Sequence, residues 1–160
     1  MGPQDFVIVA LKANAVPAIA EKLAPLMTAD TGIVMAVNGV PWWYFYGQEG
    51  PLKDARLPSV DPQGKLWDLV GPQRVIGCVV YPAAEVVAPG EIRHVENDRF
   101  SLGEARGEKT ERVQALEARL RDAPHVRALL MERRGATFTY YQQGITASSR
   151  VNVASVTKSV

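Results

Sequence analysis

The chain has 160 residues, 47% of them hydrophobic and 22% charged, with a formal net charge of +1. That is the length and composition of one globular domain, and so small a charge gives no ground for a nucleic-acid or anionic-membrane partner. No apolar run approaches the roughly 20 residues of a membrane span, and Met1 to Asp5 has neither the basic start nor the apolar middle of a signal peptide. The single cysteine cannot pair internally and no His/Cys spacing matches a zinc site. A cytoplasmic, metal-free protein is expected.

The first predicted strand is the apolar run Phe6-Val7-Ile8-Val9-Ala10-Leu11, which stops at Lys12. Pro17 stands where a helix's first turn tolerates it, and Ala18, Ile19, Leu23 and Leu26 recur at helical spacing. A second run, Gly32-Ile33-Val34-Met35-Ala36-Val37, stops at Asn38-Gly39. Two β-branched runs flanking a helix predict a βαβ unit of a parallel sheet buried on both faces. Ligands of such sheets sit outside the carboxyl ends of the strands, so Lys12 and Asn38 are the first candidate functional residues. The same residues also suit a plain chain end meeting water, and Asn-Gly is an ordinary turn pair.

Val40 to Tyr46 holds Trp42, Trp43, Tyr44, Phe45 and Tyr46. A hydrophobic plug over the sheet edge is the preferred reading, with a cofactor-cleft wall beside it. Residues 47–73 predict a functional flap or a poorly ordered loop, with one short helix over Lys65 to Val70. Val75 to Tyr81 reads as a third buried strand enclosing Cys78 as an inert thiol. Val86-Val87, Pro89-Gly90 and Glu91 to Val95 read as a hairpin, and Arg99 to Leu102 as an edge strand. Thr110 to Asp122 predicts a helix buried through Val113, Leu116 and Leu120, with a Glu117–Arg121 pair. Beyond Pro124, Val126 to Glu132 and Ala136 to Tyr141 predict two strands joined at Arg133-Arg134-Gly135.

The strings Val9-Ala10-Leu11-Lys12-Ala13-Asn14 and Ala36-Val37-Asn38-Gly39-Val40-Pro41 resemble the 2-dehydropantoate 2-reductases, the ketopantoate reductases. So do Val75-Ile76-Gly77-Cys78-Val79-Val80-Tyr81-Pro82-Ala83-Ala84, Pro89-Gly90-Glu91-Ile92-Arg93-His94 and Arg99-Phe100-Ser101-Leu102-Gly103-Glu104. The resemblance covers about residues 5 to 122. It implies a Rossmann-type NADP-binding domain over 1–122 and hydride transfer from NADPH to an α-keto acid, 2-dehydropantoate. By resemblance Lys12 stands near nicotinamide and substrate, Asn38 hydrogen-bonds one of them, and Ala83 lines the cofactor site with its backbone. The chain departs from the pattern in carrying no Gly-x-Gly-x-x-Gly, the loop that holds pyrophosphate. Met1 is expected to fall after the family's first βαβ units, and the family's second, helical domain, which would follow residue 122, is expected to be missing. NADP binding is therefore expected to be weak or absent, and the chain inactive alone.

Residues 125–160, ending in Asn152-Val153-Ala154-Ser155-Val156-Thr157-Lys158-Ser159-Val160, resemble the start of a serine β-lactamase or penicillin-binding protein. That resemblance implies Ser155 as nucleophile with Lys158 one helical turn away, without the family's later motifs. The expected whole is α/β: a partial Rossmann-like parallel sheet with an antiparallel edge, then a C-terminal hairpin and short helical tail over 123–160, joined as a fusion. A serine hydrolase fragment is one alternative function. A structural or assembly module, self-associating through exposed sheet edges, is the other.

Overall fold

The computed structural model describes residues 2–97, 99–121, 128–133 and 136–141. Its centre is three parallel strands: β1 (Phe6–Val9), β2 (Gly32–Met35) and β3 (Val75–Val80). Phe6 pairs with Gly32 and Val9 with Met35, while Ile33 pairs with Val75 and Met35 with Gly77. Every residue of β2 is buried, as the unbroken apolar run predicts for a strand covered on both faces. Gly32 permits the close approach of β1, since a Cβ there would lie 2.8 Å from the Phe6 ring.

Both strands are shorter than the apolar runs suggest. Ala10–Leu11 and Ala36–Val37 lie beyond the ladder, although the Ala36 N–H still donates to the Val9 carbonyl at 3.0 Å. The crossover between them is not one regular helix. It runs as short turns, Ala13–Ala15, Pro17–Ile19 and Ala24–Leu26, around the four-residue α1 (Ala20–Leu23). Pro17 and Pro25 lack amide protons and cannot continue an i→i−4 ladder, so helical spacing survives while the helix is broken. Ala20 and Leu23 still point inward and are buried.

β4 (Ala83–Ala88) and β5 (Glu91–Glu96) form the expected hairpin as a separate two-stranded sheet, turning at Gly90 with φ 80°. β6 (Arg99–Glu104) returns antiparallel to β3. It is not the edge strand that its length suggests. β7 (Ala128–Arg133) pairs parallel on its other side and β8 (Ala136–Tyr141) antiparallel beyond, giving the order β1-β2-β3-β6-β7-β8. Leu102, buried to 3% exposure, marks β6 as interior. The strand expected at the edge, β6, therefore lies inside the sheet, while the expected antiparallel edge is formed by β8 on β7.

Two apolar layers flank the sheet. Val16, Leu23, Trp42, Leu66 and Val70 pack on one face with Ile33 and Val75. On the other, α2 (Glu111–Arg121) sets Val113 and Leu116 against Val34, Ile76 and Cys78, with Leu120 partly buried. The stretch 47–73 is neither flap nor loose loop where it meets the core. Leu66 is 1% exposed and Val70 0%, within a wide turn, Leu66–Val70, closed by the Gly71 N–H on the Leu66 carbonyl at 3.0 Å. The buried Asp61 carboxylate accepts the Leu66 and Trp67 N–H groups at 3.2 and 3.0 Å. This satisfies donors that a helical start leaves orphaned. One carboxylate and two apolar anchors thus convert a Gly- and Pro-rich segment into a wall of the core.

A candidate functional site at the carboxyl edge of the parallel strands

Lys12 and Asn38 each lie three residues past a mutually paired position, Val9 and Met35. They therefore leave the sheet at the same edge, beyond the carboxyl ends of neighbouring strands. Lys12 is exposed and extended, with φ −66° and ψ 142°, and its carbonyl accepts the Ala15 N–H at 2.9 Å to start the crossover.

Asn38 is anchored differently. Its Nδ2 donates to the Val80 carbonyl at 2.8 Å, and its Oδ1 accepts the Val80 N–H at 3.1 Å. The β2–β3 register pairs Ile33 with Val75, an offset of 42, and Asn38 with Val80 keeps that same offset of 42. The side-chain amide thus continues the ladder where the backbone has left it. Both partners are backbone groups of fixed polarity, so they also set which end of the amide is oxygen. One N–H and one lone pair remain for a ligand.

Beside Asn38 runs a narrow crevice lined by Ala13, the residue after Lys12, with Val16, Met35, Asn38, Trp42 and Leu66. Trp42 is 4% exposed, and its indole N–H is buried without a partner. It packs edge-on against Trp43 and Trp67, with ring centroids 5.3 and 6.3 Å away. Trp42 and Trp43 thus line the crevice, with Trp42 packed in the layer on one face of the sheet rather than over its edge, while Tyr44 is exposed. Ala83 opens β4, half-buried and opposite Glu96, shortly after β3 ends. Cys78 is buried on the α2 side, and burial pushes its thiol up to about 12, as expected of an inert core cysteine.

The other edge of β3 is tied by a structural cluster. Arg112 Nε donates to Glu104 at 2.8 Å and its guanidinium to the Gln73 carbonyl at 2.8 Å, while Thr110 donates to the same carboxylate. The hydrogen bond to Glu104 holds the Arg112 guanidinium above its ordinary range. Among the described residues no group of three or more His, Cys, Asp or Glu could hold a metal, and no helix is long and apolar enough to cross a membrane. Ser155 and Lys158 lie outside the described residues. What sequence reasoning missed is Val80 as the anchor of Asn38 and Trp42 as an unpaired donor. The first depends on the register between strands 42 residues apart in sequence, which no local pattern encodes.

The family model "Ketopantoate reductase PanE/ApbA" matches residues 1–107. A 2-dehydropantoate 2-reductase of Mesorhizobium japonicum is 57% identical over 116 residues, covering 72% of this chain and 36% of the relative. Among solved structures, a candidate ketopantoate reductase from Ralstonia solanacearum MolK2 is 44% identical with a TM-score of 0.67, over 73% of this chain and 36% of that one. The 2-dehydropantoate 2-reductase of Geobacter metallireducens GS-15 is 27% identical with a TM-score of 0.59, over 82% and 36%. The chain thus spans about a third of the length of these relatives, 36% in each.

Proposed function

The chain belongs to the ketopantoate reductase PanE/ApbA family, and from that premise we propose that its carboxyl-edge crevice serves the NADPH-dependent reduction of 2-dehydropantoate to pantoate. The observation that carries this reading is the pair Lys12 and Asn38, leaving neighbouring parallel strands at matched register beside an apolar crevice. The crevice itself has room for little more than a water molecule, so in this reading the nicotinamide end of the cofactor packs against its apolar rim. Its walls are apolar, and the free half of the exposed Asn38 amide offers hydrogen bonds to a carboxamide. The phosphates fit less well, because the chain carries no Gly-x-Gly-x-x-Gly.

A reduced nicotinamide, when bound, supplies the hydride for the ketone carbon. Lys12 places an ammonium where charge develops on the ketone oxygen, and Asn38, held by Val80, orients the reacting groups. Ala83 contributes backbone to the cofactor side. In this reading residues 1–122 form the nucleotide-binding unit, and β7 and β8 add two strands beyond β6. No observation on the described residues favours the serine-hydrolase alternative at Ser155 and Lys158, nor the assembly alternative.

The purified 160-residue chain is expected to bind NADPH weakly in calorimetric titration and to show no ketopantoate-dependent NADPH oxidation. Lys12→Ala should weaken binding by about tenfold, as for loss of one charged hydrogen bond. NADPH binding that Lys12→Ala and Asn38→Ala both leave unchanged sinks the site assignment. Steady turnover abolished by Lys12→Ala sinks the inactivity and strengthens the assignment.

A further inference from the structure

The carboxyl edge continues past Asn38. Tyr81 follows the end of β3, and its N–H donates to the Arg99 carbonyl at 3.2 Å. Because β6 runs antiparallel to β3, its first residue, Arg99, lies at the edge where β1, β2 and β3 end. Arg99 stacks its guanidinium over the Tyr81 ring, 3.6 Å from the centroid. Tyr81 and Arg99 are both only partly exposed.

Three features separate this pair from an ordinary surface arginine. No hydrogen bond or ion pair reaches the Arg99 guanidinium among the described residues, so its donors are unspent. The ring holds the guanidinium plane and lowers the entropy lost on engaging a ligand. Two polar atoms close to it in sequence, the Ser101 hydroxyl on the same strand and the Asn97 Nδ2 at the preceding turn, are buried without a hydrogen-bond partner among the described residues. Val79, directly opposite Ser101, is 49% exposed, so solvent reaches the sheet beside this pair. Val80, the anchor of Asn38, is the neighbour of Tyr81 in sequence.

We infer that Arg99, stacked on Tyr81, is an oxyanion-binding residue of the carboxyl-edge site. A planar fork of parallel donors matches a carboxylate or phosphate, which it binds through two hydrogen bonds at once. Adjacent strands are about 5 Å apart, so Arg99 on β6 stands two strands, about 10 Å, from Asn38 beyond β2, a gap bridged by a ligand lying along the carboxyl edge. The anion is the carboxylate of an α-keto acid or a phosphate of the cofactor. The inference rests on the reductase reading for its ligands but not for its chemistry.

The test is calorimetric titration of the full chain, as wild type, Arg99→Ala and Arg99→Gln, with 2-dehydropantoate, its neutral lactone, NADPH and inorganic phosphate. Loss of about tenfold or more in affinity for 2-dehydropantoate, with the lactone unchanged, is expected if the carboxylate is bound. The same loss for NADPH and inorganic phosphate alone assigns the site to the phosphate. Should Arg99→Ala fail to fold, Arg99→Gln, which keeps the stem and removes the charge, gives the same reading. Affinities unchanged in the folded variant overturn the inference, whatever happens to its melting temperature, because a purely structural stack moves only the latter. Wild-type binding of phosphate without either organic ligand keeps the anion site and sinks the reductase reading. Binding of none of the four sinks the anion site.

Discussion

β2 and β4 are both short and apolar-rich, and the structure treats them oppositely. In β2 all four residues, Gly-Ile-Val-Met, are buried, whereas in β4 Val86 is 74% exposed and Val87 37%. The difference lies in their neighbours. β2 has a parallel partner on each side and an apolar layer on each face, while β4 has one partner, β5, in a separate sheet. Burial, and with it the energetic weight of a valine or isoleucine, follows from topology rather than from the side chain.

The sharpest way to break this comparison is to cut one side chain from each strand. Ile33→Ala, at a position with 0% exposure, should cost about 2–5 kcal/mol in urea denaturation followed by circular dichroism. A cost below about 1 kcal/mol would mean that β2 is not the packed centre. Next in size is Asp61→Ala, which strips the acceptor from the Leu66 and Trp67 amides and should cost about 1–3 kcal/mol. Asp61→Asn, keeping one acceptor oxygen, should recover part of it.

Cys78 gives a pH-dependent version. Its thiol is raised from about 9.0 to about 12 by burial, so the folded state holds the proton more tightly than the unfolded chain. The associated stability is whole below about pH 9 and falls as pH climbs toward 12. Iodoacetamide at pH 8 should label Cys78 only in denaturant. Rapid labelling of the native protein would contradict its placement between β3 and α2. The smallest effect belongs to the hairpin, where Val86→Thr should stay within about 0.5 kcal/mol. A larger loss there would show that something covers β4 in solution.

The three parallel strands, the hairpin and the helix over 111–121 were all legible from period and composition, because each obeys one local rule. The strand ends were not. Nothing within Ala10–Leu11 or Ala36–Val37 distinguishes a paired apolar residue from one that has just left the ladder. The broken crossover was legible in principle from Pro17 and Pro25, whose cost to a helix is larger than the spacing of Ala18 and Leu23 can offset. For the candidate site, Lys12 and Asn38 were legible as polar tips on apolar runs. Asp61 was not, because a lone Asp in a loop carries no sign of the amides it caps. Nor was Arg99, whose place at the site depends on β6 reversing direction after a hairpin that belongs to another sheet.

All three tryptophans of the chain, Trp42, Trp43 and Trp67, meet in one cluster beside the crevice, with Trp42 in contact with each of the others. Intrinsic fluorescence of this protein is therefore a local gauge rather than a global one. It should respond to anything that enters beside Asn38 and to loosening of the wall around Asp61, yet stay nearly blind to the β4–β5 hairpin. An unfolding curve drawn from indole emission alone would report the stability of one corner as though it were that of the whole molecule.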